Sequence, residues 1–350
     1  MSIVNVKLAA GTDVGLVRSN NEDNFVVNAD LQKDSWMIPQ ASEQIALGEY
    51  GTLLVVADGM GGTNAGEVAS AIAIETIQQK FSQEELNKFF IGKGSLPEKS
   101  FCEFLTNAVK AADLNIINRS KTDSSTQGMG TTIVILWLIG EKAYVSWCGD
   151  SRCYVFNAEF GISRLSKDHS YVQELVDAGK LDPENAFDHP YSNIITRCLG
   201  DKENRANPDF RTYSYRNGDT FLLCSDGLCG LCTDEEIMQT MLEAKSLSDC
   251  KKSLIEAALS AGGYDNVTIA LCQIATEEEQ QQKELENTLF SKPVKKSKKS
   301  FFLLIFLIVM ALLAYVFFAF DISSCIKNAG GLKSDTTMIV KDTMKINGES

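Results

Sequence analysis

The sequence predicts an α+β fold, and three observations predict it. Short apolar runs suited to buried strands recur along the chain, and several stop abruptly at an acidic residue. Helical periods fall between them without a regular strand–helix alternation, which argues against a doubly wound sheet. The clearest run, Leu53-Leu54-Val55-Val56-Ala57, breaks at Asp58-Gly59-Met60-Gly61-Gly62 and gives way to a helix of small and apolar residues from Ala65. Glycines let the backbone turn sharply there and leave room for something to approach it.

In chain order, residues 3–27 read as two strands around a turn at Arg18–Asp23, followed by a polar stretch from Asn28 to Tyr50 that reads as a long loop. The helix opened at Ala65 runs to about Phe81. Residues 82–100 mix charge, Gly and Pro without a period. Phe101, Phe104, Leu105, Ala108, Val109 and Ala112 then restore helical spacing to Ser120. A β-rich middle follows, with Ile133–Ile139, Ala143–Cys148 and Cys153–Phe156 as strands. Asp168–Lys180 reads as a short helix closed by Gly179, and Leu181–Leu199 as loop. Thr220–Cys224 is a strand, Thr233-Asp234-Glu235-Glu236 is a capping box opening a helix, Leu247–Ala261 is another helix, and Asn266–Ile274 is the last strand.

The break at Asp58 is repeated elsewhere. Tyr144–Gly149 runs into Asp150-Ser151-Arg152, Phe221–Ser225 into Asp226-Gly227, and Asp265-Asn266 precedes Val267–Leu271; Glu22 and Asp23 stand in front of Phe25-Val26-Val27. Each Asp alone could be a turn former. As a set they read as carboxylates converging on one rim, the oxygen-rich environment that hard divalent cations require.

Composition sets bounds. The net charge of −13 argues against nucleic acid as a partner. Residues 291–300 carry five Lys and no acid, and 301–350 balance four Lys against four acids, which leaves −18 on residues 1–290. Ten cysteines are scattered, and the N-terminal residues lack the layout of a secretory leader, so the thiols read as reduced and cytosolic. Cys229-Gly230-Leu231-Cys232 has neither a second pair nor a nearby His to complete a zinc site. His169 and His189 are the only histidines, which excludes a histidine-rich metal centre.

Residues 276–300 read as a charged linker, acidic and Gln-rich at first and then basic. Phe301–Phe320 contains no charge, and at about 1.5 Å per residue it matches the roughly 30 Å core of a bilayer. The Lys block on its N-terminal side predicts a single-pass cell-membrane protein with its catalytic domain cytoplasmic and residues 321–350 as a short extracytoplasmic tail.

Carboxylates at one rim suit phosphoryl transfer to a metal-activated water, with Arg18 supplying a planar fork for a phosphate dianion. Rival phosphate chemistries lack their motifs. There is no Cys-x5-Arg, no Asp-x-Asp and no Gly-x4-Gly-Lys-[Ser/Thr], and the calcium-loop-like start at Asp201 fails at Ala206 and Thr212.

The ordered stretches Thr12–Gly15 with Arg18–Asp23, Val56–Gly62, Gly128–Thr132, Gly149–Arg152, Ser225–Leu228 and Asp265–Thr268 resemble the motifs of the metal-dependent protein phosphatases (type 2C). Asp168–Gly179 and Ile195–Gly200 resemble the bacterial branch. The resemblance covers roughly residues 5–275 and implies a catalytic domain over 1–275, built as a four-layer αββα sandwich of two antiparallel sheets flanked by helices. It implies two Mn²⁺ or Mg²⁺ ions held by Asp23, Asp58, Gly59, Asp226 and Asp265, with Glu22 in support. Asp58 and Asp226 also fall at catalytic positions, and Arg18 at the phosphate. Asp150, with Asp226, falls where a third, looser metal binds in relatives. The implied substrates are phosphoserine and phosphothreonine proteins, the products of a serine/threonine kinase.

Three departures stand out. Met60 replaces the His of eukaryotic relatives, as in many bacterial ones. The Asp23–Asp58 segment is longer than in compact relatives. Gly230 stands where relatives often supply another Asp to the third metal. The alternative reading, a membrane-bound pseudophosphatase that binds phosphoproteins, is disfavoured because such proteins usually lose a metal carboxylate, and all four are present here.

Overall fold

Leu53–Ala57 shows no polar alternation because both of its faces are covered, and every residue of the strand is buried. The computed structural model describes residues 4–33, 35–36, 43–61, 65–92 and 96–275. In these residues the chain runs β1 (Asn5–Asp13), β2 (Asn24–Asn28), β3 (Ile45–Ala46), β4 (Thr52–Ala57), β5 (Gly59–Met60), α1 (Ala65–Lys80), α2 (Gln83–Phe90) and α3 (Glu98–Thr122). It continues through β6 (Gly130–Thr131), β7 (Ile133–Ile139), β8 (Lys142–Cys148), β9 (Arg152–Asn157), β10 (Gly161–Arg164) and α4 (Tyr171–Asp177). The last elements are β11 (Asp209–Ser214), β12 (Thr220–Cys224), α5 (Asp226–Cys229), α6 (Asp234–Glu243), α7 (Leu247–Ser260) and β13 (Val267–Ile274).

One sheet has the order β10-β9-β12-β13-β1-β3 and the other β11-β8-β7-β4-β2, and both are antiparallel throughout. Their facing sides share one core that includes Leu8, Val27, Leu54, Val134, Leu223 and Ala270. The outer face of the five-stranded sheet packs Leu53, Val55, Ile135 and Trp137 against α1–α3. That of the six-stranded sheet packs Leu222, Ile269 and Leu271 against α5–α7. The four layers expected from the resemblance are therefore present. Because the interior strands are sandwiched twice, they read as continuous apolar runs, and the alternation of a half-exposed strand appears only at the edges.

Register gathers the acidic breaks at one end. β1 ends and β13 begins together (Asp13↔Val267), β12 ends where β9 begins (Cys224↔Arg152), and β2 begins where β4 ends (Asn24↔Ala57). β7 begins where β8 ends (Ile133↔Cys148). In an antiparallel sandwich such turns must stack along one rim.

Four details differ from the sequence reading. Residues 83–90 form α2, capped by Ser82 and anchored by buried Leu86, where no period was visible. Asp209–Ser214 and Gly161–Arg164 are edge strands whose part-exposed residues carry little apolar signal. Ile45–Ala46 adds a short strand within the segment read as a loop. Asp226, expected from the resemblance to hold metal, opens the single-turn helix α5 rather than lying in extended chain. Among the described residues no helix is long and apolar enough to cross a membrane, and the linker, span and tail expected over 276–350 lie outside them.

Candidate metal centre

The turns at the rim are held by neighbours distant in sequence. Asp23 is 9 % exposed, and its Oδ2 accepts a hydrogen bond from Ser225 Oγ (2.7 Å), which in turn accepts from the Thr268 N–H (2.9 Å). The Asp58 N–H donates to Thr132 Oγ1 (3.1 Å), while the Asp58 carbonyl accepts from Thr131 Oγ1 and the Thr132 N–H, each at 2.8 Å. Thr132 Oγ1 also lies 2.6 Å from Ser151 Oγ, tying the Asp58 turn to the Asp150 turn. Asn266 closes the far side: its Oδ1 accepts from the Glu22 N–H (2.8 Å), and its Nδ2 donates to the carbonyls of Val14 and Asn20 (2.9 Å each).

The turn after Asp58 touches helix α1 directly. The Gly59 N–H donates to the Glu22 carbonyl (3.2 Å), which also accepts from Ser70 Oγ (2.6 Å). A Cβ on Gly59 would sit 2.3 Å from the Gly66 carbonyl oxygen and 2.5 Å from that of Glu22. A Cβ on Gly66 would sit 2.8 Å from Gly59 C and Met60 N. Glycine is required at both positions by this approach, and it leaves the Gly59 backbone at the rim.

The carboxylates are electrostatically crowded. Loss of hydration, then repulsion from Asp226 and Asp265, pushes Asp23 up to about 8, against opposing hydrogen bonds from Ser225 and Thr268. Asp58 is raised well above its ordinary value by burial and by Asp23, Asp226 and Asp150. Asp150, 9 % exposed, is raised by burial and Asp226, and Asp226 by burial and Asp265. The Asp58 and Asp226 carboxyls are near enough to influence each other's protonation.

Arg18 stands on the rim and donates from Nη2 to Asp265 Oδ2 at 2.7 Å, so its charge is raised in pKa chiefly by that carboxylate. The Glu22 carboxyl lies against Gly66 at the start of α1, with burial raising it from its ordinary value. Structure thus brings together Asp23, Asp58, Gly59, Asp226, Asp265, Arg18, Glu22 and Asp150. Gly230 has an ordinary right-handed backbone (φ −88°), so no positive φ calls for glycine. A Cβ there would press to 2.7 Å from the Asp226 carbonyl oxygen.

The donor set fits divalent cations. Asp23 Oδ1 and Asp226 Oδ1 are buried and have no hydrogen-bond partner, a costly arrangement that an ion removes. Among the described residues no group of three or more His, Cys, Asp or Glu side chains forms a metal cage by itself.

Thr131, Thr132, Ser151, Ser225 and Asn266 lie within the motifs, but sequence reasoning gave them no role, because they act over separations that no local pattern reveals. It also missed Asp113, buried on α3, whose Oδ1 accepts from the Gly200 N–H (2.9 Å) and Oδ2 from Arg205 Nε (2.6 Å). Leu199, beside Gly200, exchanges two backbone hydrogen bonds with Thr131 (2.8 and 3.1 Å), linking α3 to the Asp58 turn. An acid on a helix face that otherwise reads as core was the one available signal.

A family model described as protein phosphatase 2C matches residues 41–290. Protein phosphatase PhpP of Streptococcus pneumoniae is 33 % identical over 269 residues, covering 76 % of this chain and 97 % of its own length. Serine/threonine protein phosphatase PstP of Mycobacterium tuberculosis is also 33 % identical over 269 residues; the match covers 77 % of this chain but only 45 % of that protein's length. Among solved structures, the S. agalactiae serine/threonine phosphatase superposes with a TM-score of 0.64 at 28 % identity, covering 77 % of this chain and 99 % of that one. The catalytic domain of PstP in complex with two manganese ions gives 0.59 at 32 % identity, covering 78 % of this chain and 99 % of that one. The chain belongs to the protein phosphatase 2C family and groups with its bacterial serine/threonine phosphatases.

Proposed function

We propose that the chain is a metal-dependent phosphatase of phosphoserine and phosphothreonine proteins. The observation that carries this reading is the convergence of Asp23, Asp58, Asp226 and Asp265 from four separate turns, with buried oxygens of Asp23 and Asp226 left without a donor. Those four carboxylates and the Gly59 carbonyl would hold two Mn²⁺ or Mg²⁺ ions, and Asp150 with Asp226 a third, looser one. When bound, such ions acidify a water and neutralise charge on the phosphoryl group.

The protein's own residues do the positioning. Ser225 and Thr268 fix the rotamer of Asp23, and Thr131 and Thr132 fix the backbone at Asp58. Arg18 has a planar fork on an exposed rim; with a phosphate dianion present, it would exchange its Asp265 partner for the phosphate oxygens and orient the ester. All four core carboxylates are present, which favours an enzyme over a phosphoprotein-binding relative without activity.

The uncharged stretch 301–320 and the Lys block before it support a single membrane span, with the phosphatase domain on the cytoplasmic side. The deciding experiment is hydrolysis of a phosphothreonine peptide by the full chain in EDTA and in Mn²⁺. Turnover should depend on the metal; Mn²⁺ that raises the melting temperature without giving turnover would favour the binding-only reading.

A further inference from the structure

A cleft of about 920 Å³ opens directly from the metal rim, where Asp150, Asp226 and Asp265 line one end. The segment around α4 forms one side, through Val172, Val176 and Phe187, and the chain from Gly230 to Glu235 another. Four cations line it: Arg152, Arg164, Lys167 and Arg211. Three are engaged. Arg152 pairs with Asp168 (2.7 Å) and Asp234 (3.5 Å), Arg164 with Asp234 (3.3 Å) and Asp168 (3.6 Å), and Lys167 with Asp177 (2.6 Å).

Arg211 differs. Its side chain is exposed, and Nη1 donates to the Arg164 carbonyl (3.2 Å), but it makes no ion pair among the described residues. A guanidinium that is steered by a carbonyl yet lacks a carboxylate is a preformed receptor for an anion. Strand register gives its distance from the chemistry. Arg211 pairs with Val145, and Asp150 lies five residues further along that strand and its turn, at most roughly 17 Å at 3.3 Å per residue. That span is four or five residues of extended peptide.

We propose that Arg211 is a specificity-determining residue that selects substrates with an anionic side chain, a carboxylate or a second phosphate, four or five residues from the phosphoresidue. The proposal rests on the phosphatase reading above, and it adds the substrate class. Charge argues for selectivity at this one point. Acids outnumber cations along the cleft, so an anionic substrate residue is repelled elsewhere and finds an uncommitted partner only beside Arg211.

The test uses the full chain and phosphothreonine peptides bearing one Glu, or one phosphoserine, at each position from three to six on either side. Matched Gln and Ser peptides serve as controls. The expected result is a threefold to tenfold lower KM at one or two positions, with kcat little changed, and a preference that shrinks as salt is raised. Arg211→Gln should erase the preference and Arg211→Lys keep part of it. Which anion gives the larger effect distinguishes carboxylate from phosphate recognition. Equal KM values for every Glu, phosphoserine and control peptide would overturn the proposal, as would a preference that survives in Arg211→Gln. The same peptides with a non-hydrolysable phosphonate in place of phosphothreonine, followed by fluorescence anisotropy, read the preference without turnover. An inactive protein would thus overturn the phosphatase reading while Arg211 is still judged by binding.

Discussion

Asp226 is the residue on which the site turns, since it faces Asp58, Asp150 and Asp265 at once. Asp226→Asn keeps its size and removes its charge. Hydrolysis should fall on the order of a hundredfold or more, given that even the outer partners of metal ligands are worth 10–100-fold. The fold should survive with an unchanged or higher melting temperature in EDTA, because one repelling charge is gone. Turnover at the parental rate would refute the assignment. The metal-free carboxylates also predict a pH dependence. Asp23 is held at about 8 in the folded protein, against about 3.9 unfolded, so the folded state binds the extra proton between these values. A raised folded pKa contributes stability that is present below pH 4 and lost as pH rises through 8. A cation replaces the proton and removes that loss. The difference in melting temperature between Mn²⁺ and EDTA should therefore widen from pH 5 to pH 8, and a constant difference would count against the crowded site. The carboxylates themselves were legible because each ends an apolar run or stands just before one. Ser225, Thr132, Asn266 and Asp113 were not, because their importance lies in contacts made across the sandwich.

Among elements, α1 carries the closest constraint. Its Gly66 meets the Gly59–Met60 turn backbone to backbone, so helix position and the Gly59 carbonyl proposed as a metal ligand are set together. Gly66→Ala places a methyl 2.8 Å from Gly59 C and Met60 N, where only a shift of helix or turn relieves it. Overpacking of this kind costs about 1–3 kcal/mol. The variant should melt several degrees lower, and the Mn²⁺ concentration for half-maximal thermal stabilisation should rise roughly tenfold. A lower melting temperature with an unchanged Mn²⁺ midpoint would mean that α1 supports the core but not the site. The helix itself was readable from its small residues, whereas its contact was not, since nothing in Ala65-Gly66-Glu67 specifies what it touches. Length and exposure explain the elements missed. α2 has eight residues with one buried side chain, and β11 is an edge strand of six with none, so neither produces a sustained apolar period.

For the whole molecule, the two antiparallel sheets explain why one rim collects all the chemistry. Every second turn of such a sandwich returns to the same edge, and the acidic breaks fall on those turns. Among the described residues the sandwich and its candidate site lie within 4–275: β13 is an interior strand of the six-stranded sheet, and the Ala275 N–H after it donates to the Asn5 carbonyl (2.9 Å). Among the described residues, those lining the cleft run no further than Asp265, and Asn266 ties the rim beside it. A chain ending before Ser291 should therefore fold, remain in the supernatant after high-speed centrifugation, and keep the parental kcat/KM on a soluble phosphopeptide. The full chain should sediment with membranes and be extracted only by detergent. Its catalytic domain should resist protease added outside intact cells, since Lys292, Lys295, Lys296, Lys298 and Lys299 crowd the N-terminal side of the apolar stretch, against the more distant Lys327 and Lys333 on the other. A truncated chain that still sediments would place the anchor within residues 1–290. Digestion of the catalytic domain in intact cells would reverse the topology, and with it the assignment of cytoplasmic substrates.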